Sequence, residues 1–103
     1  MVKIYGMIIQ NTNPLIVSPE STLVRKGFSR DDLFVCVHEQ FMTETAKYAD
    51  IILPATTFVE HDDLYIAGGH QHITFGPKLI SPIGESRSNH FVLVELANST
   101  KTK

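Results

Sequence analysis

Residues 33–37 read Leu33-Phe34-Val35-Cys36-Val37, an unbroken apolar segment. Such a segment is typical of a strand that is buried on both faces of a parallel sheet. A second apolar segment, residues 2–9, precedes it, and a third, Ile51-Ile52-Leu53, follows it. We therefore predict three strands, of which the first two are buried.

The segments between these strands favour helices. Ser18 and Pro19 suit the N-cap and the first position of a helix of about ten residues. Thr43 is predicted to cap a shorter helix over residues 43–49, because only about a dozen residues separate the second strand from the third. This alternation indicates an α/β fold, namely a partial doubly wound, Rossmann-like and mainly parallel sheet with short helices.

The second half of the chain is less regular. Gly68-Gly69 and Gly76-Pro77 bound a segment in which polar and apolar side chains alternate, and a small strand or hairpin fits it. Ser86 or Ser88 is predicted to cap a C-terminal helix. Residues 98–103 are polar, and we expect them to form a flexible tail.

The composition indicates one compact domain with little net charge. Of the 103 residues 43% are hydrophobic, and nine Lys and Arg face eleven Asp and Glu, for a net charge of -2. We expect no nucleic-acid binding, because no basic field is present to hold a phosphate backbone. No apolar segment approaches the roughly 18 residues of a membrane helix and no secretion signal is recognised, so we expect no membrane insertion and a cytoplasmic location.

The loops that follow the first two strands carry the candidate binding residues. The carboxyl ends of parallel strands lie at one edge of a sheet, where nucleotides and phosphate groups bind. In the second loop, Glu39 can accept hydrogen bonds from a ribose diol or a guanine edge, and Thr43 and Thr45 are within reach of a phosphate. Turn formation and helix capping also explain the same residue types, and from the residues alone they are the favoured explanation. The candidate cofactor-binding residues are Asn11, Asn13, Pro14, Ser18, His38, Glu39, Phe41 and Thr43.

Metal binding and nucleophilic catalysis find less support. His70 and His72 lie two residues apart, but this spacing lacks a third ligand. Cys36 is predicted to lie inside a strand, with no base assigned to it. We therefore name no metal ligand and no catalytic residue.

Residues 41–60 read FMTETAKYADIILPATTFVE, and this segment resembles a signature of the molybdopterin oxidoreductases of the dimethyl sulfoxide reductase family. Asn13-Pro14 and Ser18-Pro19 precede it, and GESRSN at residues 84–89 follows it, in the order that the family shows. The resemblance covers nearly the whole chain.

This resemblance implies that residues 1–97 are part of the later α/β domain of such an enzyme and bind one molybdopterin guanine dinucleotide. It implies that the loop at residues 11–14 approaches the pyrophosphate or the pterin and that Thr43 contacts phosphate. Glu39 would take the place of the family's common Asp in recognising guanosine, with its carboxylate about one bond further out.

The partners implied are the remaining domains of the parent oxidoreductase, which would also hold the molybdenum and the iron–sulfur cluster. The isolated chain is expected to be inactive, because molybdenum would need a second pterin and a ligand from elsewhere. Uncovered sheet edges predict self-association. The family includes exported enzymes, so the resemblance is compatible with a periplasmic as well as a cytoplasmic parent.

Two other interpretations stay open from the residues alone. The order of strands and helices also fits a stand-alone nucleotide-binding or flavodoxin-like module. A protein-interaction domain would instead use the apolar edges and the final helix, with no ligand.

Overall fold

The computed structural model describes residues 3–69 and 71–100, and the chain divides into a first unit, residues 1–54, and a second unit, residues 55–103. The mixed α/β class is confirmed, with a parallel sheet in the first unit and a hairpin and a helix in the second. In chain order the elements are β1 (Gly6–Gln10), α1 (Pro14–Val17), α2 (Ser21–Phe28), β2 (Phe34–Glu39), a 3-10 turn (Ala46–Tyr48), β3 (Ile51–Pro54), β4 (Asp63–Ile66), β5 (Ile73–Gly76) and α3 (Asn89–Ser99).

The sheet of the first unit has the order β1-β2-β3, and all its strands are parallel. Gln10 of β1 is opposite His38 of β2, and Glu39 of β2 is opposite Pro54 of β3. Pro54 has no N–H to donate and lies on an edge strand of this sheet, where proline is tolerated. The register brings the carboxyl ends of all three strands to one edge.

The hydrophobic core of the first unit forms around β2. Val35 and Val37 are fully buried and pack with Ile9, Leu33 and Ala46. The prediction of a buried second strand is therefore confirmed for its centre. The prediction of a buried first strand is wrong, because β1 is an edge strand of this sheet and Ile8 is 57% exposed.

The helix predicted to start at Pro19 with Ser18 as its N-cap begins instead at Ser21. Pro14 takes the first helical position, in the single turn α1, because its fixed φ and missing N–H suit a helix start. Ser18 is the C-cap of that turn, and its N–H donates to the Pro14 carbonyl at 3.1 Å. Glu20 precedes α2 in the left-handed region, at φ 56°.

The helix predicted over residues 43–49 is a 3-10 turn of three residues, Ala46–Tyr48. Thr43 nevertheless acts as a cap, because its Oγ1 accepts a hydrogen bond from the Ala46 N–H at 3.1 Å. The short connection between β2 and β3 leaves room for one turn only.

The second unit contains the hairpin and the C-terminal helix that the sequence predicted. β4 and β5 are antiparallel, with Leu64 opposite Phe75 and Ile66 opposite Ile73. Ser88 caps α3 by accepting a hydrogen bond from the Phe91 N–H at 3.3 Å. The helix extends to Ser99, beyond the predicted boundary at residue 97, and residues 101–103 of the predicted tail lie outside the described residues. None of the helices in the described part of the chain has the length and apolar character needed to span a bilayer.

Candidate functional site

The ends of β1 and β2 lie side by side, and the two candidate loops leave the sheet from there. The N–H of Asn11 donates to the His38 carbonyl at 3.2 Å, one position beyond the last paired residue of β1. Asn11 has φ 52°, in the left-handed region that Asn tolerates better than most residues. The chain turns here and leads directly to Asn13 and α1.

Asn13 and Thr45 connect the two loops through side-chain hydrogen bonds. Asn13 Oδ1 accepts from the Thr45 Oγ1 hydroxyl at 2.8 Å and from the Thr45 N–H at 3.2 Å. Thr45 Oγ1 in turn accepts from the Leu15 N–H at 3.1 Å. Thr45 and Leu15 are both fully buried. The prediction that Thr45 reaches a phosphate is therefore wrong, because its hydroxyl is buried and used within the protein.

His38 is fully buried at the end of β2. The Gln10 side-chain amide donates to His38 Nδ1 at 3.0 Å, so this pair connects β1 to β2 next to the loops. His38 therefore contacts Gln10 inside the protein and presents no surface to solvent.

The other candidate residues reach the surface. Glu39 is half-buried, and its Oε1 accepts from the Gln40 N–H at 2.8 Å. Phe41 is 71% exposed. The half-buried candidates that remain are Asn13, Pro14, Ser18 and Thr43.

The pKa values of Glu44 and Cys36, both in the first unit, are shifted in opposite directions. Lys47 Nζ lies 2.5 Å from Glu44 Oε1 on the second loop and lowers the pKa of that exposed carboxyl. Burial raises the pKa of the Cys36 thiol, so the nucleophilic thiolate form is disfavoured.

A cluster of three or more His, Cys, Asp or Glu residues able to hold a metal ion is not found among residues 3–69 and 71–100. His70, one half of the predicted histidine pair, lies outside the described residues. In the second unit, His61 Nδ1 is 2.8 Å from Thr56 Oγ1 and its Nε2 is 3.9 Å from Asp63 Oδ2. The Thr56 side chain is almost fully buried, whereas the side chains of His61 and Asp63 are partly exposed.

The structure adds Gln10, Leu15 and Thr45 to the residues that build the site. Gln10 could have been found from the sequence, because it is the first polar residue after the apolar part of β1 and its partner in a parallel register would be at the end of β2. The role of the Leu15 N–H could not have been predicted from the sequence, because a backbone donor has the same chemistry in every residue but proline.

Comparison with known proteins identifies the family. A family model described as molybdopterin oxidoreductase matches residues 2–99. The chain belongs to the molybdopterin oxidoreductase family. It is 46% identical over 96 residues to the probable oxidoreductase YoaE of Bacillus subtilis (strain 168), a match that covers 93% of this chain. The predicted resemblance is confirmed.

Two further relatives also align with most of the chain. The assimilatory nitrate reductase catalytic subunit of Bacillus subtilis (strain 168) is 32% identical over 93% of the chain. The trimethylamine-N-oxide reductase of Haemophilus influenzae is 36% identical over 82%. The chain spans only 14%, 13% and 10% of the lengths of these three relatives, so it aligns with one part of each of these longer proteins.

Proposed function

We propose that this chain holds one molybdopterin guanine dinucleotide at the carboxyl ends of β1 and β2, as one part of a larger oxidoreductase. The observation that carries the proposal is the direct hydrogen bonding between the two loops at that edge, Asn13 on the first and Thr45 on the second. Ligands of open parallel sheets bind outside the carboxyl ends of the strands, where such loops are brought together.

The donors and acceptors at this edge fit the nucleotide part of the cofactor. A diphosphate requires hydrogen-bond donors, and the Asn13 side-chain amide nitrogen is one. Guanosine offers donors on its base and its ribose, for which the Glu39 carboxylate is an acceptor. The Gln40 N–H uses only one of the roughly four lone-pair positions of that carboxylate.

Turnover is proposed to need the rest of the parent enzyme. When bound, the cofactor supplies molybdenum chemistry through its dithiolene group. The contribution proposed for this chain is to bind and orient the nucleotide end. We therefore expect the isolated chain to bind guanine nucleotide without catalysing an oxidation or a reduction.

Calorimetry with GDP and ADP tests the assignment of Glu39. We expect GDP to bind more tightly than ADP, and Glu39→Ala to lower the GDP affinity by about five- to tenfold, as the loss of one or two hydrogen bonds would do. Glu44→Ala is the matched control, because it removes an equal charge from an exposed side chain of the same loop. Equal binding of GDP and ADP, or equal effects of the two variants, would contradict the proposal.

A further inference from the structure

The hydrogen bonds between Asn13 and Thr45 have only one consistent direction. The Leu15 N–H can only donate, so it uses a lone pair of Thr45 Oγ1 at 3.1 Å. The Thr45 N–H can also only donate, and it points at Asn13 Oδ1 at 3.2 Å. The Thr45 hydroxyl proton is therefore directed to Asn13 Oδ1, at 2.8 Å.

This direction determines which end of the Asn13 amide is turned toward the protein. An asparagine amide can rotate by half a turn and exchange its oxygen and nitrogen, and the hydrogen-bond network has to decide between the two orientations. Two donors from Thr45 require the oxygen. Within residues 3–69 and 71–100, no acceptor is hydrogen-bonded to Asn13 Nδ2, and the side chain is only half-buried.

We infer that Asn13 contacts the cofactor only as a hydrogen-bond donor, through Nδ2 to an oxygen of the diphosphate, and that Thr45 is the positioning residue that holds it in this orientation. The inference rests on the proposed function. It goes further by specifying the atom, the polarity of the contact and the part of the ligand. Phosphate oxygens accept hydrogen bonds and never donate them when ionised, which matches the polarity that Thr45 imposes.

The decisive variant is Asn13→Asp. A carboxylate keeps an oxygen facing both Thr45 donors, so the connection between the loops is retained. It replaces the outward amide nitrogen by a second, negatively charged acceptor. We expect the affinity for GDP to fall by about tenfold or more, and the affinity for guanosine to change by less than about twofold.

Asn13→Ala controls for charge, because it removes the Nδ2 donor without introducing a carboxylate. We expect this variant also to lower the GDP affinity, by about fivefold. A GDP affinity equal to that of the wild type would reduce the effect of Asn13→Asp to charge repulsion and overturn the inference.

The positioning role is tested by Thr45→Val and Thr45→Ser. Valine keeps the shape and removes the hydroxyl donor, so that only the backbone N–H of residue 45 still holds the Asn13 oxygen. The orientation of the Asn13 amide is then less well fixed, and the GDP affinity should fall by about fivefold. Serine restores the hydroxyl and should restore the affinity to within about twofold. Thermal unfolding monitors each variant, and binding is measured well below the transition. If Thr45→Val does not fold, Asn13→Asp and Thr45→Ser decide the question.

The outcomes separate this inference from the proposed function. If the wild type binds GDP and Asn13→Asp binds it equally well, the donor contact is refuted while the nucleotide site stands. Equal losses of GDP and guanosine binding in Asn13→Asp would refute the assignment to the diphosphate. If the wild type binds neither ligand, the proposed function fails and this inference fails with it.

Discussion

Two buried polar side chains, Thr45 in the first unit and Glu60 in the second, each join segments that are distant in sequence. Thr45 bonds to Asn13 and to the Leu15 N–H. Glu60 accepts from the Thr57 N–H at 2.6 Å, from the Thr57 hydroxyl at 2.7 Å and from the Ile83 N–H at 2.7 Å. Buried polar groups are stable only when they are hydrogen-bonded, so each of these residues specifies one arrangement of its loop.

Glu60 makes the second unit sensitive to acid. The three hydrogen bonds, led by the one from the Thr57 N–H, lower the pKa of Glu60 below its ordinary value of 4.5. A carboxyl whose pKa is lower in the folded state stabilises the fold above its unfolded pKa, and this stabilisation is lost as the pH falls through the folded pKa. We expect the melting temperature of the chain to fall below about pH 4.5 and to fall less steeply in Glu60→Gln.

Thermal unfolding between pH 7 and pH 3 measures this effect, with Glu44→Gln as the control. Lys47 also lowers the pKa of Glu44, but that pair is exposed and therefore contributes little to stability. An acid transition that is unchanged in Glu60→Gln would show that other carboxyls account for it.

At the scale of elements, α2 is less buried than β2, the central strand of the sheet. None of its residues is fully buried, and it follows Glu20, a non-glycine residue in the left-handed region. An apolar cavity of about 240 Å³ lies between α2, β1 and the start of β2, lined by Met7, Val24, Gly27, Phe28 and Leu33 among others. This cavity is at the amino ends of the strands, at the edge opposite the candidate site.

Gly27→Ala should stabilise α2. Glycine costs about 1 kcal/mol relative to alanine in a helix interior, and a Cβ at Gly27 would meet no atom within 4 Å. We expect the free energy of unfolding in urea to rise by up to about 1 kcal/mol. Gly76→Ala is the contrasting variant, because a Cβ there would collide with the Tyr65 ring. A Gly27→Ala variant no more stable than wild type would show that α2 is not formed cooperatively with the sheet.

On the scale of the whole molecule, the β4–β5 hairpin exposes an apolar face. Leu64 and Ile66 of β4 pair with Phe75 and Ile73 of β5, and all four side chains are at least 60% exposed. An isolated two-stranded hairpin is marginally stable in water. We propose that other parts of the parent oxidoreductase cover this apolar face, which would be exposed in the isolated chain.

The isolated chain should therefore self-associate. Sedimentation velocity at increasing protein concentration is expected to show dimers or larger species, and Ile66→Lys should shift them toward monomer because it places a charge in the apolar face. Ile83→Lys introduces the same change at a side chain of similar exposure outside the hairpin. A wild type that stays monomeric at about 100 μM would contradict the prediction.

Local sequence patterns were sufficient for the α/β class, the three strands of the sheet and the capping of α3 by a serine, because each depends on residues close together in the chain. The structure selected Ser88 over Ser86 as that cap. They were misleading at Pro14 and Pro19, since both prolines suit a helix start but only Pro14 occupies one in the structure.

The connection of Asn13 to Thr45 was decided only by the tertiary structure. These residues are 32 positions apart, and they meet because the parallel register of β1 and β2 places Gln10 opposite His38. A hydroxyl has the same chemistry whether it faces a ligand or another loop. Only its burial and its partners show which, and both depend on how the strands pair.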